Sequence, residues 1–222
     1  MPQHKTIFKA VIFDLDGTLV NSLQDIADSM NRVLAAKGFT TYDYDSYRYF
    51  IGRGLRNLVG KTLSDEQRSE ENITELYAEL LKDYQINLLQ KTALYKGIPD
   101  LLDAIEQRGF KMAIFSNKAD HFTQKIVREL MSDWKMDVVL GSKEATPRKP
   151  DPTGALMICK LLEISPEEVL YVGDTSVDMN TATAAGFFPV GVTWGFRTKE
   201  ELLESGAKAI IDEPLELLDL LK

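Results

Sequence analysis

The sequence predicts an α/β protein with a doubly wound, mainly parallel sheet and a smaller α-helical cap inserted into it. Three observations carry that reading. The short apolar runs "KAVIFD", "KMAIFSN", "MDVVLGS", "VLYVGD", "FPVGVTW" and "AKAIID" mostly lack strict alternation, as do strands covered on both faces. Helix-like stretches separate them, and such alternation implies right-handed crossovers in a parallel sheet. From Leu19 to Thr92, by contrast, there is no convincing strand.

In chain order, "KAVIFD" supplies the first strand. "SLQDIADSMNRVLAAKG" then puts Leu23, Ile26, Ala27, Met30, Val33 and Leu34 on one helical face, with Ser22 as N-cap and Gly38 as stop. "SDEQRSEENITELYAELLKDYQINLL" reads as one long or two shorter helices capped by Ser64, with "EQRSEEN" a solvated helix face. The α/β rhythm resumes near Leu94. This gives a core of residues 1–18 and 93–222 and a helical cap of residues 19–92. "IPDLLDAIEQRG" carries Pro99 near its start and Gly109 past its end, the expected helix punctuation. "MAIFSNKAD" ends a strand at Ser116, Asn117 and Lys118 and opens the next helix, while "SPEEVL" and "EPLELLDLL" place a proline near a helix start. In such sheets ligands bind beyond the carboxyl ends of the strands.

Composition narrows the function classes. A chain of 222 residues with 44% hydrophobic content can bury a sizeable core and is not disordered. The net charge of −8 disfavours nucleic acid and anionic membrane surfaces, though not a small anionic substrate met by local cations. Cys159 is the single cysteine, which excludes an intrachain disulfide and fits a reducing compartment; "ALMICKLL" around it reads as a buried helix face. No apolar run approaches the ~18 residues of a membrane span. "KTIFKAVIFD", with Lys5 and Lys9, lacks an export-type cleavage site. A soluble cytoplasmic protein is expected.

Two strands end in acid. Asp14 and Asp16 close the first, followed by Gly17 and Thr18; Asp174 closes "VLYVGD", and Asp178 follows on the first turn of a helix ending at Gly186. The plainer readings are a strand-ending turn and complementation of a helix dipole. Parallel strands that each end in an aspartate would nevertheless gather carboxylates at one sheet edge, and unpaired buried charge is costly. An oxygen-only cluster of this kind suits Mg²⁺. Ser116 and Asn117 could hold phosphate oxygens or simply cap a helix. Lys149 sits in "TPRKPDPTG", either as a surface charge or as a counter-ion. Ionised together, the four aspartates outweigh Lys149 by three charges and would repel a phosphate dianion. A divalent cation, with Asp16 protonated, removes three of those charges.

"DLDGT", the serine of "FSN", the lysine of "RKPDP" and "GDTSVD", in that order, resemble the four motifs of haloacid dehalogenase-like phosphatases. The resemblance spans essentially the whole chain. It implies a Mg²⁺-dependent enzyme with Asp14 as nucleophile, forming an aspartyl-phosphate, and Asp16 as general acid and then base. It further implies Mg²⁺ on the side chains of Asp14 and Asp174 and the backbone carbonyl of Asp16, with Asp178 direct or through water. Ser116 and Lys149 would hold the phosphoryl oxygens, with help from Asn117 and the backbone at Gly17 and Thr18. Within that superfamily, "FDLDGTLVNSLQDIADSMNRVLAAKG" and "YFIGRGLRNLV" most resemble phosphoglycolate phosphatases, although Asn21 replaces the usual Asp. The implied substrate is a small phosphorylated metabolite, 2-phosphoglycolate first, with Arg53 or Arg56 of the cap meeting its carboxylate or merely lying on the cap surface. Pyrophosphatase, sugar-phosphate phosphatase and hexose-phosphate mutase chemistry are alternatives, as is a receiver-like signalling domain. The enzyme is expected as a monomer or homodimer, with hinges at Leu19–Ser22 and Gln90–Leu94 that close the cap.

Other signals lead nowhere further. "GRGLRNLVGKT" has five residues between Gly54 and Gly60 where a phosphate loop needs four. His4 and His121 are too few and too far apart in sequence for zinc. Trp134 and Trp194 are read as core or crevice residues.

Overall fold

Apolar runs that alternate between two separate packing clusters organise the molecule. In the computed structural model, which describes residues 8–144 and 146–221, strand β1 (Ala10–Phe13) sends Val11 and Phe13 to one cluster and Ala10 and Ile12 to the other. Lys5 and His4 lie outside the described residues. Both faces of β1 are therefore covered, which explains its unbroken hydrophobicity.

The remaining core strands are β4 (Lys111–Ala119), β5 (Val138–Ser142), β6 (Val169–Gly173), β7 (Phe188–Val192) and β8 (Ala209–Ile211). With β1 they form one sheet in the order β5-β4-β1-β6-β7-β8, and every pairing is parallel. The chain winds outward from β1 through β4 to β5, then crosses back to β6 on the other side. The crevice outside the carboxyl end of β1 is thus the topological switch point, where such sheets bind ligands. Helices α5 (Ile98–Gln107), α6 (Asp120–Leu130), α7 (Thr153–Leu162), α8 (Ser176–Ala185) and α9 (Lys199–Glu204) connect and cover the strands. Cys159 is buried on α7.

The cap comprises α1 (Leu23–Ala36), α2 (Tyr44–Phe50), α3 (Leu55–Thr62) and α4 (Glu70–Asn87). Its apolar faces close around Tyr47, Leu76, Leu80 and Tyr84, continuous with the core cluster that contains Phe13. The expectation of no strand here needs one correction. Two-residue strands β2 (Val20–Asn21) and β3 (Ala93–Leu94) pair antiparallel where the chain enters and leaves the cap. They are too short to register as an apolar pattern, and Asn21 is exposed on β2.

Other local expectations change for identifiable reasons. Ser22 stands at the N-cap of α1 but makes no capping bond: its backbone, at φ −100° and ψ 1°, lies outside the extended region of an ordinary N-cap, and its hydroxyl donates to Asp16. Ser69, not Ser64, caps α4, accepting from the Asn72 amide. Most of "EQRSEEN" is consequently a turn and a helix start rather than the face of an established helix. "SPEEVL" and "EPLELLDLL" form 3₁₀ segments, Pro166–Glu168 and Pro214–Asp219, instead of α-helices. Ser116, Asn117 and Lys118 belong to β4, and Ala119 is the N-cap residue of α6.

Candidate active site

The loop after β1 starts the site. Gly17 has φ +91°, a conformation open to glycine, and lets residues 15–20 turn tightly enough that the Leu15 carbonyl accepts from the amides of Thr18, Leu19 and Val20. The turn leaves Asp14 and Asp16 on different partners. Asp14 Oδ1 lies 2.7 Å from Lys149 Nζ, which is also 2.7 Å from Asp178 Oδ1. Asp16 accepts from Ser22 Oγ at 2.6 Å and from Lys118 Nζ at 2.9 and 3.0 Å.

Beside Asp14, the ends of β6 and α8 bring up Asp174 and Asp178. One carboxylate oxygen from each of Asp14, Asp174 and Asp178 lies within 4.8 Å of the others, and all three residues are buried. Asp174 is fixed by Thr18 Oγ1 at 3.1 Å and by the Phe196 amide at 2.8 Å. Asp178 Oδ2 accepts from the amide and the hydroxyl of Thr175, and Asp178 Oδ1 from Lys149.

One lysine cannot balance three carboxylates. Burial first, then the neighbouring Asp178, pushes the Asp14 carboxyl up to about 7 despite Lys149. Asp174 is also driven well above the ordinary carboxylate range, by burial and then by Asp178 and Asp14. Burial opposes the charge on Lys149, yet Asp14 and Asp178 hold its ammonium well above its usual range. An all-oxygen donor set with surplus negative charge fits a hard divalent cation such as Mg²⁺. The side chain of Asp16 points away toward Lys118, so only its backbone remains for such an ion.

Asp14, Asp16, Ser116, Asn117, Lys118 and Lys149 meet at one cavity of about 30 Å³, roofed by the cap side chains Ile51, Leu55 and Leu58. Ser116, Asn117 and Lys118 stand where the register of β4 against β5 shifts, between Phe115 and Ala119, an irregularity of the kind found beside functional sites. Asn117 is occupied structurally: its amide donates to the carbonyls of Gly52 and Lys149, and its oxygen accepts from the Lys149 amide. It braces the lysine loop against the cap. The Thr18 hydroxyl likewise has a structural partner, donating to Asp174. Arg53 is exposed and Arg56 pairs with Glu70; neither lines this cavity. Lys149 is buried and not a surface charge.

Sequence reasoning leaves Lys118 without a role, although a lysine ending an apolar strand is itself a signal. Its ammonium is buried on Asp16 and lies 4.8 Å from the ring centroid of Tyr84, a cap residue. Trp194 donates to the Thr18 carbonyl but lines a separate groove with Tyr95, Lys96 and Asp212, while Trp134 donates to Asp103.

Fold and pocket together define a capped hydrolase built on a parallel sheet. A family model described as haloacid dehalogenase-like hydrolase matches residues 11–192, and the chain belongs to that family. A phosphoglycolate phosphatase of Aquifex aeolicus is 35% identical over 189 residues, covering 85% of this chain and 86% of that protein. An N-acetylmuramic acid 6-phosphate phosphatase of Pseudomonas aeruginosa is 32% identical over 214 residues, covering 96% and 94%. Among solved structures, a haloacid dehalogenase-like family hydrolase of Streptococcus pneumoniae matches with a TM-score of 0.88 at 26% identity, covering 98% of this chain and 100% of that one. Among the described residues, no helix is long and apolar enough to cross a membrane.

Proposed function

We propose that this protein is a Mg²⁺-dependent phosphatase of a small phosphorylated metabolite, 2-phosphoglycolate in the first place. The observation that carries the reading is the division of labour between Asp14 and Asp16. Two residues apart, they are held by different lysines at one cavity, one beside the carboxylate cluster and one clear of it.

In this reading an Asp14 oxygen attacks phosphorus and the bond to the leaving alkoxide breaks, while Asp16 delivers a proton to that oxygen. Water then attacks the aspartyl-phosphate, giving its proton to Asp16, and the bond between phosphorus and Asp14 breaks. Lys149 and Ser116 hold the phosphoryl oxygens, and the cap side chains Ile51, Leu55 and Leu58 exclude water. A cation held by Asp14, Asp174, Asp178 and the Asp16 carbonyl would offset the negative charge that otherwise repels phosphate. The cavity of about 30 Å³ has room for roughly two waters, so substrate entry requires the cap to open. Residues 19–92 form the moving cap on this account, and residues 1–18 and 93–222 the catalytic core. The enzyme then works in the cytoplasm, as a monomer or homodimer.

The experiment is phosphate release from 2-phosphoglycolate, N-acetylmuramic acid 6-phosphate, pyrophosphate and hexose phosphates, with Asp14→Asn as the inactive reference. Preference for phosphoglycolate is expected. Preference for a sugar phosphate would reassign the substrate, and turnover surviving in Asp14→Asn would remove the nucleophile.

A further inference from the structure

Four residues after β7, Trp194–Arg197, touch the carboxylate cluster on one side and the cap on the other. Toward the cluster, the Phe196 amide donates to Asp174 Oδ2 at 2.8 Å. Gly195 packs so closely that a Cβ there would lie 2.2 Å from the Asp174 Cβ and 2.6 Å from the Gly17 carbonyl. Toward the cap, the Arg197 guanidinium donates to the Arg48 carbonyl and, at 3.2 Å, to the Ile51 carbonyl. These carbonyls lie at the C-terminal end of α2, where helical acceptors run out of partners. Arg48 of the cap returns a bond of 2.9 Å to the Gly195 carbonyl. The Arg197 side chain is only 10% exposed and is steadied by Glu201 at 3.3 Å and by the Tyr49 ring.

We propose that Arg197 is a positioning residue that couples closure of the cap to the placement of Asp174 through the segment Trp194–Arg197. The inference rests on the reading that Asp14, Asp174 and Asp178 hold a divalent cation. When the cap opens, the Arg48 bond to Gly195 and both Arg197 bonds break together. The backbone that presents the Phe196 amide to Asp174 then loses its outer support. Linkage makes the effect reciprocal: a closed cap tightens cation binding, and cation binding favours the closed cap.

The test needs no substrate. Mg²⁺ affinity is measured by calorimetry, and hydrogen exchange of amides 48–53 is followed with and without Mg²⁺, on wild type, Arg197→Gln and Arg48→Gln. Arg68→Gln serves as control, because among the described residues Arg68 bonds within the cap, to Gly60, Leu63 and Asp65. Arg197→Gln should weaken Mg²⁺ binding at least about fivefold, the low end of ordinary coupling, and abolish Mg²⁺-induced protection of those amides. Arg48→Gln, which leaves Arg197 in place, should shift both readouts in the same direction by less, and carries the test should Arg197→Gln not fold. Arg68→Gln should match wild type. Unchanged affinity and protection in both seam variants would overturn the coupling while leaving the cation site standing. Failure of wild type to bind Mg²⁺ would overturn both.

Discussion

Replacing Gly17 by Ala tests how rigidly the carboxylate cluster is built, without removing any charged group. A Cβ at that position would lie 2.2 Å from Asp174 Oδ2 and 2.9 Å from the Phe196 ring, on a backbone at φ +91°. Restoring an ordinary contact in a close-packed interior moves the carboxylate by about 1 Å. The left-handed backbone costs a non-glycine residue about 1–2 kcal/mol. The displaced carboxyl group also gives up its bonds to Thr18 and the Phe196 amide, each worth about 0.5–1.5 kcal/mol. The total is about 2–5 kcal/mol, or a melting point lowered by at least roughly 4 °C in a chain of this size. Cation binding should fall with it, since Mg²⁺ demands oxygens at about 2.0–2.1 Å in near-ideal geometry. Calorimetric unfolding in chelator and Mg²⁺ titration of the folded variant read the two effects. A melting point and a Mg²⁺ affinity both equal to wild type would refute the claim that Gly17 and Asp174 share one tightly fixed packing unit.

Further outcomes follow from the same geometry. Chelated protein should lose stability as pH rises from about 4 to about 7. The folded state keeps the proton of Asp14 where the unfolded chain has released it, and Asp174 extends the loss to higher pH. Melting at pH 5 and pH 8 checks the sign, and added Mg²⁺ should cancel the slope. Lys149→Met takes the shared counter-ion from Asp14 and Asp178 and should cost about 3–5 kcal/mol at neutral pH, read by denaturant unfolding, and abolish phosphate release. Tyr84→Phe should change stability by no more than about 1 kcal/mol, because among the described residues the buried Tyr84 hydroxyl makes no hydrogen bond of ordinary geometry and has only the Lys118 ammonium beside it. A melting point lowered by several degrees would show that this hydroxyl does matter to the cap–core contact.

What the sequence made legible was everything written in unbroken local pattern. Strands covered on both faces announce themselves by hydrophobic runs, and Asp14 and Asp174 stand where those runs stop. The inserted helices declared themselves by periodicity, as α1 did through Leu23, Ile26, Met30 and Val33. What stayed hidden depends on partners remote in sequence. Ser22 looks like a cap, yet its backbone leaves the extended region and its hydroxyl donates to Asp16. Asn117 lines the cavity, but its bonds to the Gly52 and Lys149 backbones could not be read from the sequence around it. Arg197 grips carbonyls almost 150 positions earlier, and backbone acceptors leave no mark in the amino-acid code. The aromatic, polar run of α2 has too few turns to show a face, so it too escaped notice.

The short pairing of Val20–Asn21 with Ala93–Leu94 binds the outgoing and returning passages of the chain side by side. Just beyond it, the Asp25 carboxylate accepts from the amides of Lys91 and Thr92 and from the Thr92 hydroxyl, cinching the helical side of the crossing. A body attached by one strap can tumble, whereas one attached by two straps stitched together swings about a single line. The helical lobe should therefore move as a door on its jamb, returning Ile51 and Leu58 to the same seat after every opening.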